Sequence, residues 1–208
     1  MDKKQIRHYW RAVDCVTQSL THPTHNQFAI DHAIRHISMS IGFDEVVIYY
    51  CMGEVIIAVN GSDGDPQEWE SNLDAFPLED KTHKSFRSHG IMIMKSILEK
   101  IPNLLENDKI TFVGFSRGGP LVQAAAEELG IECDVVTFGS PRLYTITKPK
   151  LKYKHYMVYS IFDPVHRIPW RWFPPFFKHK FYQKFKITRR IHHKFSHTHY
   201  GELIEKFL

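Results

Sequence analysis

One stretch of the sequence reads ITFVGFSRGG, residues 110–119, and joins a β-rich run to a turn of the form Gly-x-Ser-x-Gly. The run that ends at Phe115 has the β-branched and aromatic side chains typical of a buried strand. Residues 118–129 are Ala-rich and have the composition of a helix, with Gly130 placed to close it. The sequence therefore predicts that Ser116 stands on a sharp turn between a strand and a helix.

A serine on such a turn has a strained backbone and needs small neighbours, which Gly114 and Gly118 provide. The N–H groups that open the following helix point toward the serine, where they favour a developing negative charge. Ser116 is therefore a candidate nucleophile for acyl transfer. The alternative is a glycine-rich turn in which the serine is incidental.

Other segments give the outline of the fold. Two β-rich runs, Glu45–Cys51 and Glu54–Asn60, are separated by two residues that include a glycine, which predicts a hairpin. Apolar spacing and residue type predict helices over Lys3–Leu20, Asn26–Ser40 and His83–Ile101, and further strands over Cys133–Gly139 and His155–Phe162. This alternation predicts the α/β class, with a mostly parallel central sheet flanked by helices, in a single domain over residues 1–208.

Asp163 directly follows a predicted strand, and side chains at the carboxyl ends of parallel strands often form sites. A nucleophilic serine needs a histidine as base and an acid that fixes the histidine tautomer. Asp163 is the only acid between Ser140 and Tyr200, although it also suits an ordinary Asp-Pro turn. Spacing does not choose among the histidines that follow it, which are His166, His179, His192, His193, His197 and His199.

The composition limits the class of protein. The chain has 208 residues, of which 43% are hydrophobic, enough for one sizeable core. Its three widely spaced cysteines form no disulfide framework and indicate a reducing compartment. The basic N-terminus has no apolar run behind it, and no run of about 18 apolar residues occurs. We therefore expect a cytoplasmic protein without signal peptide or transmembrane helix, whose release would need another route.

Positive charge is concentrated in residues 142–194, where 14 Lys and Arg stand against one acid. This segment carries +13, so the rest of a chain with net charge +4 carries −9. Within it, residues 170–194 mix aromatic and basic side chains without a clear period, which suits peripheral contact with an anionic membrane. Packing of the aromatics on the core is the equal alternative. Nucleic-acid binding is the least favoured, because the rest of the chain is acidic.

Two pairs of histidines have spacings seen in metal sites. His32 and His36 are four apart in a predicted helix, and His197 and His199 could pair on a strand. No third or fourth ligand accompanies either pair in the sequence. Neither a metal site nor a cofactor is predicted.

Six segments carry a family resemblance, in this order along the chain: VNGS (59–62), EWESNL (68–73), THKSF (82–86), VGFSRGG (113–119), VTFGSPR (136–142) and DPVHRIP (163–169). Together they resemble the motifs of the fungal-type lipases, also called class 3 lipases, of the α/β-hydrolase superfamily. The resemblance covers about residues 45–170 and the C-terminus. It implies an α/β-hydrolase fold and the hydrolysis of carboxylic esters, as in a lipase or phospholipase, through an acyl-enzyme on Ser116 and without a cofactor.

The resemblance also implies roles for further residues. His197 stands three residues before Tyr200, as the catalytic histidine of this family often stands before an aromatic, and His199 is the alternative. Ser62 and the backbone N–H of Arg117 would hold the oxyanion. Residues 63–78 occupy the place of the family's lid, although they equally suit a fixed loop. The rival function is a non-catalytic lipid- or nucleic-acid-binding protein on a hydrolase fold.

Three residues depart from the family motifs: Phe115 replaces the usual histidine, Arg117 the usual leucine and Asn60 the usual arginine. None of these changes removes a member of the triad. Arg117 would add a fixed positive charge beside the oxyanion and so favour a substrate that carries phosphate or carboxylate. The alternative is that its side chain points to solvent.

Overall fold

The computed structural model describes residues 1–21, 26–32, 34–42, 44–61, 82–106, 109–145, 151–168, 177–178, 181–188 and 199–208. The helices are α1 (Lys3–Thr21), α2 (Gln27–His32), α3 (Lys84–Lys100), α4 (Gly118–Leu129) and α5 (Tyr200–Phe207). The strands are β1 (Arg35–Ile41), β2 (Asp44–Cys51), β3 (Glu54–Val59), β4 (Ile110–Phe115), β5 (Asp134–Phe138), β6 (Tyr144–Thr145), β7 (Lys154–Ser160), β8 (Phe177–Lys178) and β9 (Gln183–Ile187). Among the helices in these ranges, none combines the length and apolar composition that crossing a membrane requires.

Seven strands form the central sheet in the order β1-β2-β3-β4-β5-β7-β9, while β6 and β8 pair separately. The first three strands are antiparallel, and the predicted hairpin connects β2 and β3. From β3 onward every neighbouring pair in the central sheet is parallel. The predicted α/β class, with a mostly parallel sheet flanked by helices, is confirmed.

Each face of the sheet has its own hydrophobic core. On β3, Val55, Ile57 and Val59 belong to the cluster that includes side chains of α3 and α4. Ile56 and Ala58 belong to the opposite cluster, which includes side chains of α1, α2 and α5. Parallel strands covered on both faces are apolar along their whole length, which is why the central strands were readily predicted.

The helix predicted over Asn26–Ser40 is wrong in its second half. A short helix ends at His32, and the chain then continues as β1. Within β1, residues 37–41 alternate between apolar and polar side chains, and this period of two fits the antiparallel pairing of β1 with β2. His32 and His36 consequently lie in different elements, so the metal-like pair on one helix face does not exist.

Residues 170–194, the basic aromatic segment, contain a strand that was not predicted from the sequence. Residues Gln183–Ile187 form β9, which pairs in parallel with β7 at the edge of the sheet. Ile187 is buried and Phe185 packs against the core, whereas Lys184 and Lys186 are exposed. In its described part the segment therefore combines core packing with a basic outer face.

Candidate active site

The predicted site residues lie together at the carboxyl ends of the parallel strands. Gly61 lies beyond the end of β3, Ser116 follows β4, and Asp163 comes shortly after β7. The Ser116 N–H donates to the carbonyl oxygen of Phe138, the last residue of β5, at 2.9 Å. A Cβ built on the next residue, Gly139, would lie 2.9 Å from Asp163 Oδ2. The end of β5 thus connects the candidate nucleophile to the candidate acid.

Ser116 has the strained backbone that its motif predicts. Its φ is 50°, and among the described residues it is the only one other than glycine with a positive φ. Its carbonyl oxygen accepts a hydrogen bond from the Gly119 N–H at 3.0 Å, which closes the turn. Strain of this kind costs about 1–3 kcal/mol and persists where the surrounding structure holds it in place. The predicted strand–turn–helix at Ser116 is confirmed.

The end of β3 packs directly against this turn. A Cβ on Gly118 would lie 2.3 Å from the carbonyl oxygens of both Val59 and Asn60. A Cβ on Gly61 would lie 2.8 Å from the Ser116 Cβ. Only residues without a side chain allow these backbones to approach so closely. The chain that leads to Ser62 therefore runs beside the nucleophile.

Gly118→Ala is expected to lower the free energy of unfolding by about 3 kcal/mol or more, because the new methyl group meets two backbone oxygens that cannot rotate away. Gly201→Ala, within α5, is the matched control. Its Cβ would make an ordinary contact, 3.4 Å from Trp10 Nε1. Alanine in a helix should then stabilise by about 0.5–1 kcal/mol. Urea denaturation measures both variants, and a similar effect in the two would contradict the tight β3–turn contact.

An aromatic cluster packs around Phe115, the residue directly before Ser116. The Trp10 ring of α1 meets Phe115 and Phe138 edge-on, with centroids 5.3 and 5.2 Å apart. The Tyr200 ring lies 5.6 Å from Phe115. The departure at position 115 is thereby explained, because phenylalanine fills an apolar place before the nucleophile.

Asp163 is buried, and hydrogen bonds hold both of its carboxylate oxygens. Its Oδ1 accepts from the Val165 N–H at 2.8 Å, and its Oδ2 accepts from the Tyr200 hydroxyl at 2.9 Å. The Tyr200 oxygen in turn accepts from the Ser160 N–H at 3.0 Å. Burial raises the pKa of Tyr200 well above its usual value, and the Asp163 charge acts in the same direction. The phenol therefore remains a donor that orients the carboxylate.

The role of Tyr200 was not predicted, although the His-x-x-Tyr spacing drew attention to that position. Its hydroxyl reaches Asp163 because α5 begins at Tyr200 and packs near the end of β7. Trp10 was likewise missed, since the helix pattern of α1 gave no sign of which sheet residues it would contact. Only the tertiary arrangement shows that both residues support the site.

The structure describes some of the candidate histidines. His197 lies outside the described residues, as do Ser62 and residues 63–78. His199 is half-buried at the N-terminus of α5, directly before Tyr200. Burial lowers the pKa of His166, while the charge of Asp163 works against this shift. His197 therefore stays the predicted base and His199 the alternative.

The side chain of Arg117 does neither of the things that were predicted for it. It is 2% exposed, so it does not point to solvent. Its Nε donates to Asp44 Oδ1 at 3.1 Å, so an internal carboxylate neutralises the charge that was assigned to an anionic substrate. Both alternatives are wrong, because a buried guanidinium takes the nearest buried carboxylate as its partner. The proposed role of its backbone N–H is unaffected.

Within the described ranges, no three His, Cys, Asp or Glu side chains come together as metal ligands would. The described site contains a strained serine and a buried carboxylate at the same end of the sheet.

The sequence matches no protein-family model and no curated protein. Its structure is similar to a lipase of Rhizomucor miehei in complex with its propeptide (TM-score 0.68, 17% identity, 89% of this chain and 68% of that one). It is also similar to a lipase of Rhizopus microsporus var. chinensis (TM-score 0.67, 12% identity, 87% of this chain and 73% of that one). A third similar structure is a triacylglycerol lipase of Penicillium expansum (TM-score 0.59, 13% identity, 90% of this chain and 82% of that one). The chain thus has an α/β-hydrolase fold of the form seen in fungal lipases, as its motifs predicted.

Proposed function

We propose that this protein is a serine hydrolase that cleaves carboxylic esters, with lipid esters as substrates, as a lipase or phospholipase does. The observation that carries the proposal is Ser116 at a φ of 50°, on a strand–turn–helix at the carboxyl edge of a parallel sheet. Proteins retain such strain mainly where function uses it. Buried Asp163 at the same end of the sheet supports the same activity, as do the three structural neighbours described above, each of which is a lipase.

The proposed mechanism passes through an acyl-enzyme. His197 accepts the Ser116 proton as the Ser116 oxygen attacks the ester carbonyl carbon, and Asp163 stabilises the imidazolium that forms. Ser62 and the backbone N–H of Arg117 hold the oxyanion. The alcohol leaves with the proton from His197. Water, activated by the same histidine, then releases the acid and restores Ser116.

The proposal is tested on the wild-type chain with p-nitrophenyl esters from acetyl to palmitoyl and with a fluorescent alkyl phosphonate. We expect hydrolysis and a phosphonate label on Ser116, located by peptide mass spectrometry and blocked by excess ester. Adding liposomes should increase hydrolysis of the long-chain esters if lipid is the substrate. A folded protein that neither hydrolyses nor takes up label, but binds liposomes, would support the rival non-catalytic lipid-binding function.

The base is assigned by three alanine variants. His197→Ala is expected to lower kcat about 10³-fold or more, because the serine then loses its general base. His199→Ala and the control His166→Ala should each change kcat less than about 10-fold, since neither would carry the proton. Hydrolysis of a soluble ester measures all three. A large loss confined to His199→Ala would move the base to His199.

We further propose that residues 142–194 make a peripheral contact with anionic membranes. Lys184 and Lys186 are exposed along β9. Phe162, 42% exposed, follows β7 and so lies at the carboxyl ends of the parallel strands, where Ser116 also lies. Tyr182, 69% exposed, precedes β9 and so lies at the opposite, amino ends. A membrane that contacts Phe162 would lie nearer to Ser116 than one that contacts Tyr182. We therefore expect the lipid to contact the basic face of β9 at the end where Phe162 lies.

Lys184→Glu/Lys186→Glu is expected to weaken binding to phosphatidylserine vesicles about 30-fold or more, because each lysine contributes about 1 kcal/mol near such a surface. Vesicle sedimentation measures the change. The control Lys3→Glu/Lys4→Glu reverses the same charge on exposed residues at the start of α1. Equal weakening in both doubles would mean that only net charge matters and would contradict a dedicated face.

We also propose a cytoplasmic location for a single domain over residues 1–208. The three cysteines are thiols that form no disulfide, and two of them, Cys15 and Cys133, are buried, which suits a reducing compartment. Fractionation of the producing cells tests this location. Recovery of the protein mainly outside the cells, without lysis, would contradict it.

A further inference from the structure

Two buried side chains, Asp44 and Arg117, and the half-buried His89 form one connected group near Ser116, which we call the Asp44–Arg117–His89 network. Arg117 Nε donates to Asp44 Oδ1 at 3.1 Å, and its Nη2 lies 3.5 Å from Oδ2. His89 Nδ1 lies 3.0 Å from Asp44 Oδ2 and 3.0 Å from Arg117 Nη2. Asp44 is 4% exposed. The network therefore connects β2, α3 and α4 at the residue that follows the nucleophile.

The turn itself does not require a charge at this position. The close backbone approaches that the turn makes at Gly118 and Gly61 depend on the absence of a side chain there, not on a charge at position 117. An apolar side chain would fill a buried place without desolvating two charges, and buried ion pairs seldom stabilise a fold more than apolar residues do. What a buried pair adds is direction, because a guanidinium donates its hydrogen bonds to a carboxylate in one plane.

That direction acts on the Ser116–Arg117 peptide. The guanidinium is fixed by Asp44 on one side, and its central carbon lies 6.0 Å from the Phe86 ring of α3. Arg117 has helical φ and ψ of −52° and −39°, directly after the positive φ of Ser116. A side chain anchored at its far end restricts rotation of its own backbone, which would otherwise relax the strain.

We infer that Asp44 is a positioning residue that acts through Arg117 to aim the Arg117 N–H at the oxyanion. The inference rests on the proposed ester hydrolysis. An oxyanion donor is effective only when its direction is fixed before the charge develops, so that no reorganisation is needed in the transition state. Asp44 and His89 touch neither substrate nor nucleophile in this role. They hold the side chain of the residue that supplies the donor.

The test separates positioning from stability. Asp44→Ala leaves the guanidinium buried without its carboxylate and should lower both stability and kcat. The double variant Asp44→Ala/Arg117→Leu removes both charges and should recover most of the stability. We expect its kcat to remain about 10- to 100-fold below wild type, with KM changed less than about 3-fold. Inhibition by an alkyl trifluoromethyl ketone, which forms an oxyanion, should weaken by a similar factor.

The matched control removes a different ion pair between α3 and α4. Arg87 Nη2 lies 3.2 Å from Glu128 Oε2, on the same two helices but away from the turn. Arg87→Ala/Glu128→Ala should leave kcat and ketone inhibition unchanged. Arg117→Lys retains the charge opposite Asp44 but not the planar fork, and it should lower kcat about 10-fold at nearly wild-type stability.

A wild-type kcat and wild-type ketone inhibition in the double variant would overturn the inference, and the network would then be structural only. The same result in Arg117→Lys would also overturn it, even if the double variant fails to fold. Failure of the proposed function is a separate outcome. The wild-type chain would then neither hydrolyse any ester nor take up phosphonate.

Discussion

Replacing Ser116 with alanine is expected to lower kcat for a soluble ester by about 10⁴-fold or more, because the acyl-enzyme can no longer form. The phosphonate label should disappear with it. The fold should persist, since alanine and serine face the same cost at a φ of 50°. Ester hydrolysis, labelling and urea denaturation measure the three effects. Hydrolysis at the wild-type rate would exclude Ser116 as the nucleophile.

Ser116→Gly is the matched control for the strain at this position. Glycine adopts a positive φ without steric cost, so this variant should be about 1 kcal/mol more stable than Ser116→Ala while remaining equally inactive. A gain in stability together with loss of activity would mean that the turn retains strain for function. Equal stability of the two variants would contradict strain at Ser116.

Replacing Asp163 with asparagine is expected to lower kcat by about 10³- to 10⁴-fold, because a neutral amide neither fixes the histidine tautomer nor stabilises the imidazolium. The site makes the loss specific. Asp163 accepts from both the Val165 N–H and the Tyr200 hydroxyl, and the asparagine amide nitrogen would turn a donor toward one of them. Steady-state hydrolysis measures kcat, and thermal denaturation shows separately how much stability is lost.

Tyr200→Phe provides the comparison for Asp163. It removes the hydroxyl that orients the carboxylate but leaves the charge in place, so kcat should fall only about 10-fold. If Asp163→Asn is no more harmful than Tyr200→Phe, then Asp163 is a turn residue and the acid must lie elsewhere.

The parts of the fold that the sequence predicted best are those with local signals. The strand Ile110–Phe115 and the helix Gly118–Leu129 have the bounds that their β-branched run, glycines and alanines predicted. The strands over residues 35–41 and 183–187 were not predicted, because their apolar residues are few and their pairing partners decide their conformation.

The candidate site shows the same division. Ser116 and Asp163 follow apolar strands and were found from those strands. The partnership of Asp44 with Arg117 joins residues 73 positions apart, and no local pattern indicates it. A charged residue within a glycine motif was expected to face substrate or solvent. The structure provides a buried carboxylate instead, from the first residue of β2.

The packing of the β3 end against Gly118 has a consequence for when the Ser116 turn can form during folding. The Ser116 turn is held by backbone from β3 and β5, and Gly118 lies 59 positions after Val59, the last residue of β3. A chain that has formed only the local strand and helix lacks these contacts, and its serine relaxes to an ordinary conformation. If Ser116 is the nucleophile, as proposed, its reactivity is a property of the assembled sheet. Newly made or partly unfolded chains would then carry no active serine.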